Sequence, residues 1–251
     1  MKHSPFYRQF YDQAGIWDED VASEERVPIT LAMVPHDISS VLDVGCGDGT
    51  MLTSIDPALM KVGLDISRTA LHLVKTGYRI LASSGELPFQ EGVFDLVLCT
   101  EVLEHLPHII YEMTVSEIER VSKKYILLSV PFREDLERKH ARCSRCGHVF
   151  HIHLHLRSFD LPELKSLFPY FSLDHYRFSG PQEKTFPHWL LKLRRKYGRR
   201  WEWDNNALCP NCGHKSNHPP QRSVISATTS LLADLTGKRH PKWVSALFIR
   251  K

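Results

Sequence analysis

This sequence predicts an α/β chain built on a doubly wound parallel sheet, and three observations carry the prediction. Short apolar runs and amphipathic stretches alternate from residue 41 to 131, the pattern of strands that are each followed by a covering helix. Val41-Leu42-Asp43-Val44 leads straight into Gly45-Cys46-Gly47-Asp48-Gly49-Thr50, so a buried strand ends in a turn that lacks a Cβ at three positions. Asp65 closes the next apolar run, twenty residues after Gly45. That spacing sets a carboxylate at the tip of a second strand, beside the turn.

Taken in order, strands are predicted near 41–44, 61–65, 79–82, 94–99 and 124–130, with helices near 49–56, 67–76, 111–122 and 160–168. Two late strands are predicted near 171–178 and 243–250. Residues 1–35 form a leading segment with spaced aromatics, Phe6, Tyr7, Phe10, Tyr11 and Trp17, and read as one or two helices ahead of the sheet. The core comprises 36–131, 156–178 and 241–251, which leaves 132–155 and 179–240 as insertions on the edge where a doubly wound sheet binds ligands.

The chain has 251 residues, 42% hydrophobic and 24% charged, the balance of an ordinary soluble globular protein. Met1-Lys2-His3-Ser4-Pro5-Phe6-Tyr7-Arg8 has no apolar leader core, and no run approaches a membrane span, so a cytoplasmic protein without a membrane partner is expected. A net charge of +3 is too small to imply nucleic acid, whereas 15 histidines prompt a search for metal sites.

The glycine turn decides between cofactors. A dinucleotide fingerprint spaces its glycines G-x-G-x-x-G; here the pattern is Gly45-x-Gly47-x-Gly49, with Asp43 before it and Asp48 inside it. Two carboxylates repel a pyrophosphate, and no Gly-Lys-Ser/Thr closes the turn as a P-loop requires. S-adenosylmethionine carries an ammonium and a sulfonium and no phosphate. At these residues the chain resembles the class I S-adenosylmethionine-dependent methyltransferases, with a core of the methyltransferase type 11 kind. Their first motif is similar to Val41–Thr50 and their ribose-binding acid to Asp65. Leu87-Pro88-Phe89, Phe94-Asp95-Leu96-Val97-Leu98-Cys99 and Glu101-Val102-Leu103-Glu104-His105-Leu106 resemble the third and fourth motifs, and Lys124–Pro131 the fifth strand.

The resemblance covers roughly residues 36–131. It implies a Rossmann-like sheet of seven strands with the last antiparallel, and S-adenosylmethionine as cofactor. Asp43, Gly45, Cys46, Gly47, Asp65, Ile66, Ser83, Ser84 and Thr100 are the implied contacts. Tyr11 joins them if the leading segment covers the cofactor; the alternative is an aromatic stripe packed on the sheet. Ser83 departs from the family, which usually has an acid there near the adenine amino group. A serine still accepts a hydrogen bond, so adenine recognition is expected to be weaker on that side. Cys46 and Cys99 read as small core residues.

Cys143-Ser-Arg-Cys146-Gly147-His148 and Cys209-Pro-Asn-Cys212-Gly213-His214 are two Cys-x2-Cys-Gly knuckles, 62 residues apart. Together they offer the four thiolates of a structural zinc site, which contributes about 10 kcal/mol or more of coupled folding energy in small modules. A mixed set using His148 or His214 is the alternative. Disulfides are not expected in a reducing compartment. Such a zinc is expected to pin insertions too poor in apolar residues for a core of their own.

Methyl transfer needs an aligned nucleophile and a means of removing its proton. Glu101, Glu104 and His105 follow the fourth strand, and their spacing suits one helical face. Three roles stay open: His105 as general base, a divalent cation at Glu101, Glu104 and His105 with a histidine of the run His151, His153, His155, or a structural turn. Glu-x-x-Glu-His resembles the metal motif of ubiquinone-biosynthesis O-methyltransferases and of small-RNA terminal 2′-O-methyltransferases; in the latter His155 best matches the downstream ligand. His151 and His153 also fit alternating faces of an extended segment. The basic run Lys192–Trp203 suits either RNA or a solvated helix face.

The core, with Val130-Pro131-Phe132-Arg133-Glu134 before the first knuckle and His155-Leu156-Arg157-Ser158-Phe159 after it, resembles bacterial methyltransferases of surface-polysaccharide and secondary metabolism, which implies O-methylation of a polar small-molecule or glycan-type acceptor. An RNA methyltransferase and a non-catalytic S-adenosylmethionine-fold binding protein are the alternatives. The oligomeric state is not encoded in any of these motifs.

Overall fold

The structure, a computed structural model, describes residues 5–13, 16–17, 21–198, 201–202, 204, 206–215 and 223–251. Met1–Ser4, and Arg199, Arg200 and Trp203 of the basic run, lie outside the described residues.

Helices α1 (Pro5–Tyr11) and α2 (Val21–Leu31) precede strand β1 (Ser40–Val44). Then follow α3 (Thr50–Ser54), β2 (Met60–Asp65), α4 (Arg68–Leu73), β3 (Tyr78–Leu81), β4 (Phe94–Thr100), α5 (His108–Val121) and β5 (Ser122–Pro131). A small hairpin, β6 (His140–Arg142) and β7 (Val149–His151), leads to α6 (Leu161–Lys165) and β8 (Phe171–Lys184). Helices α7 (His188–Lys196) and α8 (Val224–Thr236) come before β9 (Arg239–Arg250).

Seven strands form one sheet in the order β3-β2-β1-β4-β5-β9-β8. The pairs from β3 to β5 are parallel, whereas β9 runs antiparallel to both β5 and β8. This is the seven-stranded sheet expected above. Its central strands are covered on both faces, which is why their sequences read as unbroken apolar runs. Leu42, Val44, Val97, Ile126 and Leu128 pack under Ile118, Phe159 and Phe168 on one face. Val41, Leu96, Leu98 and Leu127 meet Val27, Met33 and Met51 on the other.

Because β1 has β2 on one side and β4 on the other, the chain direction of crossover reverses there and opens a crevice at the strand tips. The glycine turn leaves β1 and Glu101–His105 leaves β4, so both motifs reach that crevice.

Two local expectations change. The late strands run past 178 and begin before 243, pairing Gln182 with Pro241 and Lys184 with Arg239. A register shift between Ser179 and Gln182, at Gly180 with φ 78°, carries the ladder into a polar stretch whose backbone pairs without an apolar face. The second difference is at Glu101–His105, which forms no shared helical face. Glu101 still donates its N–H to Ser129 O at 2.9 Å as the sheet ends. It then turns through φ 56°, a single 3₁₀ turn spans Leu103–His105, and α5 starts only after Pro107.

Candidate active site

The glycine turn is held in left-handed conformations, with φ of 74°, 53° and 82° at Gly45, Gly47 and Gly49. Space is as restrictive as φ: a Cβ on Gly45 falls 2.3 Å from Val102, and one on Gly47 falls 2.7 Å from Trp17. Asp65 braces the turn from β2, accepting the N–H of Gly47 at 2.9 Å and of Ser67 at 2.7 Å. Ser67 in turn caps α4 and donates its hydroxyl to Asp12 at 2.7 Å. Asp43 differs from Asp65. It is buried, and neither of its carboxylate oxygens finds a hydrogen-bond partner among the described residues. Burial, with the nearby charge of Asp65, pushes its pKa up to about 7. An acceptor-only group left bare beside a glycine cradle fits the ammonium of S-adenosylmethionine.

The leading segment brings two aromatic side chains to the glycine turn and the turn after β4. Trp17 lies on Gly47 and donates its indole N–H to Tyr11 O at 2.8 Å. Tyr11 meets the His105 ring edge to face. Of the other implied contacts, Ile66 follows Asp65 at the crevice and Thr100 ends β4 opposite Ser129. Ser83 accepts the N–H of Gly85. The Ser84 hydroxyl is turned onto Thr114 of α5 at 2.9 Å, away from the crevice. The Cys46 thiol packs against Leu52, Leu71 and Val74, as a core residue.

Beyond β4 the chain brings together residues far apart in sequence. Ligand atoms of Glu104, His105 and His155 lie within 4.8 Å of one another. Two backbone contacts place His155: Leu156 N–H donates to Glu104 O at 2.7 Å, and the Arg157 guanidinium donates to Leu103 O. Glu104 is fully buried, and among the described residues both its carboxylate oxygens and His105 Nδ1 lack hydrogen-bond partners. Burial raises the Glu104 pKa well above the carboxylate range, and the adjacent Glu101 adds to the rise. Burial lowers His105 well below the imidazole range, with His155 and His153 adding to it. Glu101 Oε2 accepts the Trp243 indole N–H at 2.7 Å, and its buried Oε1 has no hydrogen-bond partner among the described residues. Of the expected set of Glu101, Glu104, His105 and a histidine of the 151–155 run, ligand atoms of Glu104, His105 and His155 come together, and the turn at Glu101 carries its Oε2 toward β9.

A second group, Glu134, His151 and His155, adjoins the first. Burial works to raise the Glu134 pKa, but hydrogen bonds from His151 and His155 and the charge of Lys139 outweigh it and hold the group ionised. His151 and His153 are lowered to about 4 and about 3, chiefly by burial.

A family model described as a methyltransferase domain matches residues 42–130. The chain belongs to the class I S-adenosylmethionine-dependent methyltransferases. An uncharacterized Methanocaldococcus jannaschii protein, MJ0638, is 32% identical over 156 residues, 59% of this methyltransferase and 67% of that protein. The ubiquinone biosynthesis O-methyltransferase of Aromatoleum aromaticum is 42% identical over 77 residues, which span 27% of this chain and 33% of that enzyme. A SAM-dependent methyltransferase structure from Methanosarcina mazei shares the fold at a TM-score of 0.50 and 17% identity, covering 89% of this chain and 97% of that one.

The methyltransferase gathers its four insertion cysteines at one point. Cys143 and Cys212 sulfurs are 3.6 Å apart, as are those of Cys146 and Cys209. A tetrahedron with metal–sulfur bonds of about 2.3 Å has edges of about 3.8 Å, so the set fits zinc far better than it fits a disulfide. Both knuckles repeat one hydrogen-bond pattern, Gly147 N–H to Cys143 O and Gly213 N–H to Cys209 O, each 2.9 Å. The Cys146 thiol is lowered to about 6 by the His148 N–H and the Asn211 side chain, whereas burial pushes Cys209 up to about 12. His214 turns to Ser144 at 3.1 Å rather than to the sulfurs.

The cap is richer in apolar contacts than the sequence suggests. Phe150, Ile152, Leu154, Ala207 and Leu208 pack with Phe10 of α1. Glu134 and Trp243 are the residues of the site that sequence reading missed. Neither belongs to a spaced motif, and the one usable signal was an acid just past the fifth strand.

Proposed function

We propose that this enzyme methylates a hydroxyl oxygen of a polar small-molecule or glycan-type acceptor. Glu104, His105 and His155 would be the ligands of a divalent cation, and that cation would activate the acceptor hydroxyl. One observation carries the reading: a fully buried carboxylate with two bare oxygens sits beside two imidazoles, with their ligand atoms within 4.8 Å of one another. An unpartnered buried carboxylate is costly, and a cation removes that cost. A two-imidazole, one-carboxylate set suits a first-row transition ion better than magnesium, and manganese is the redox-quiet probe of that class.

S-adenosylmethionine supplies an activated methyl on its sulfonium when bound. Asp65 faces the ribose end of the crevice, Asp43 offers its charge to the ammonium, and the glycine turn lets the backbone approach. Trp17 and Tyr11 exclude water from above. Glu104, His105 and His155 would hold the cation, which when bound would lower the pKa of an acceptor hydroxyl so that its proton could pass to water. The four cysteines hold a structural zinc that fixes the cap over the acceptor side, with every coordination position taken by sulfur.

Titration calorimetry with S-adenosylhomocysteine, with and without manganese, tests the reading. Binding lost in Asp65→Ala, and turnover of a hydroxylated acceptor stimulated by manganese, support it. Binding that is unchanged by Asp65→Ala, or turnover indifferent to chelators, contradicts it.

A second reading, an RNA acceptor, draws on a cleft lined by Arg142, Lys192, Arg195, Lys196 and Trp201. Arg195 is already paired with Glu137, and the neighbouring Arg194 is buried against Glu202. Affinity for RNA that falls steeply with salt favours this reading.

A further inference from the structure

The three imidazoles of the 151–155 segment are distinguished by their hydrogen bonds. His151 Nδ1 accepts the backbone N–H groups of His153 and His155, each at 3.2 Å. An accepting ring nitrogen carries no proton, so in the neutral ring the proton sits on Nε2. That nitrogen lies 3.5 Å from Glu134 Oε1. Nδ1 of His151 is thus occupied by the backbone, and Nε2 faces Glu134 without a hydrogen bond among the described residues.

Glu134 is buried directly after β5, where Lys139 Nζ lies 3.3 Å from its Oε1. Its other oxygen, Oε2, bonds His155 Nδ1. An ionised carboxylate only accepts, so His155 Nδ1 is the donor and Nε2 bears the lone pair. The backbone leaves the segment little freedom to arrange this otherwise. Leu154 sits at φ 60°, and Leu156 is tied to Glu104 O at 2.7 Å.

We infer that Glu134 is a positioning residue that fixes the tautomer and ring of His155, so that Nε2 is the nitrogen presented to Glu104 and His105. The group Glu134, His151 and His155 is then the support of the first cluster and not a second metal site. A carboxylate that holds the far nitrogen of a ligating imidazole sets its orientation and raises its basicity. His151 completes the arrangement by accepting the N–H groups of His153 and His155 on Nδ1, with Nε2 turned toward Glu134 at 3.5 Å.

The inference rests on reading Glu104, His105 and His155 as the cation centre, and two measurements separate the two claims. The first is long-range ¹H–¹⁵N correlation of the imidazoles in the metal-free protein. His155 in the Nδ1–H tautomer and His151 in the Nε2–H tautomer are the expected result, and His155 in the Nε2–H tautomer overturns it. The second is manganese titration of the full chain and of Glu134→Gln. The variant should bind manganese about 10- to 100-fold more weakly and retain its affinity for S-adenosylhomocysteine, with the His155 tautomer bias lost. Equal manganese affinity in the two proteins overturns the inference. Wild-type protein that binds no manganese refutes the cation centre, and the tautomers still decide the role of Glu134. Glu134→Asp, which keeps the charge, should lie between the two and covers the case in which Glu134→Gln fails to fold.

Discussion

Tyr11 and His105 meet edge to face with ring centroids 5.9 Å apart. This contact joins the leading helix to the turn after β4, and Phe10, one residue earlier, belongs to the core of the cysteine cap. Cofactor cover, proposed proton-handling centre and cap thus touch through two adjacent aromatic side chains.

Tyr11→Ala removes that edge-to-face contact and opens the crevice to water. The S-adenosylhomocysteine Kd should rise by roughly tenfold, the equivalent of about 1–2 kcal/mol, with the sheet intact by circular dichroism. A Kd within twofold of wild type would show that the cover plays no part in binding.

Asp43 gives a pH signature. Its pKa in the fold, about 7, lies above the ordinary 3.8. Its contribution to stability is therefore full below pH 3.8 and is lost as pH rises through 7. A cationic ligand favours the ionised form, so binding expels a proton on the acid side of 7. S-adenosylhomocysteine affinity should fall by about tenfold per pH unit between 6.5 and 5, and Asp43→Asn should bind weakly with a flat profile. A wild-type profile that is flat over this range contradicts the assignment.

Glu104→Gln separates stability from activity. Replacing an unpartnered buried carboxylate with a neutral amide relieves desolvation, so the metal-free variant should melt higher than wild type. Its turnover should drop by about 100-fold or more, with cofactor affinity unchanged. A variant both less stable and fully active would remove Glu104 from the proposed centre.

Exchanging one cysteine of each knuckle, Cys143→Ser with Cys209→Ser, should abolish stoichiometric zinc. Hydrogen exchange should then speed up in the hairpin at 140–151 and in α1, while β1, β4 and β5 stay protected. Unchanged exchange in α1 would mean that the shared packing with Phe10 contributes nothing.

Much of the sheet was legible because buried parallel strands leave continuous apolar runs, as at Val41–Val44 and Phe94–Cys99. The glycine turn and Asp65 were legible because few residue types satisfy a left-handed backbone and a carboxylate that braces it from the tip of the next strand. The centre beyond β4 was half legible. Glu104, His105 and His155 could be named, but the positive φ at Glu101 and its bond to Trp243, 142 residues away, leave no local trace. Glu134 stood in the sequence as an acid just past the fifth strand, but its role was not legible, since it exists only when the chain after β5 folds back on the histidine segment. The union of α1 with the cap likewise depends on contacts among segments that no periodicity links.

That union defines a unit of exchange. Phe6, Tyr7, Phe10 and Tyr11 pack with Phe150, Ile152 and Leu208, so the element that would confer acceptor preference is not confined to the two insertions. A chimera that transplants the cysteine cap onto another core of this kind must carry the first seventeen residues with it. Grafted without them, the cap would present a bare apolar surface and the recipient would keep an ill-matched roof over its methyl donor.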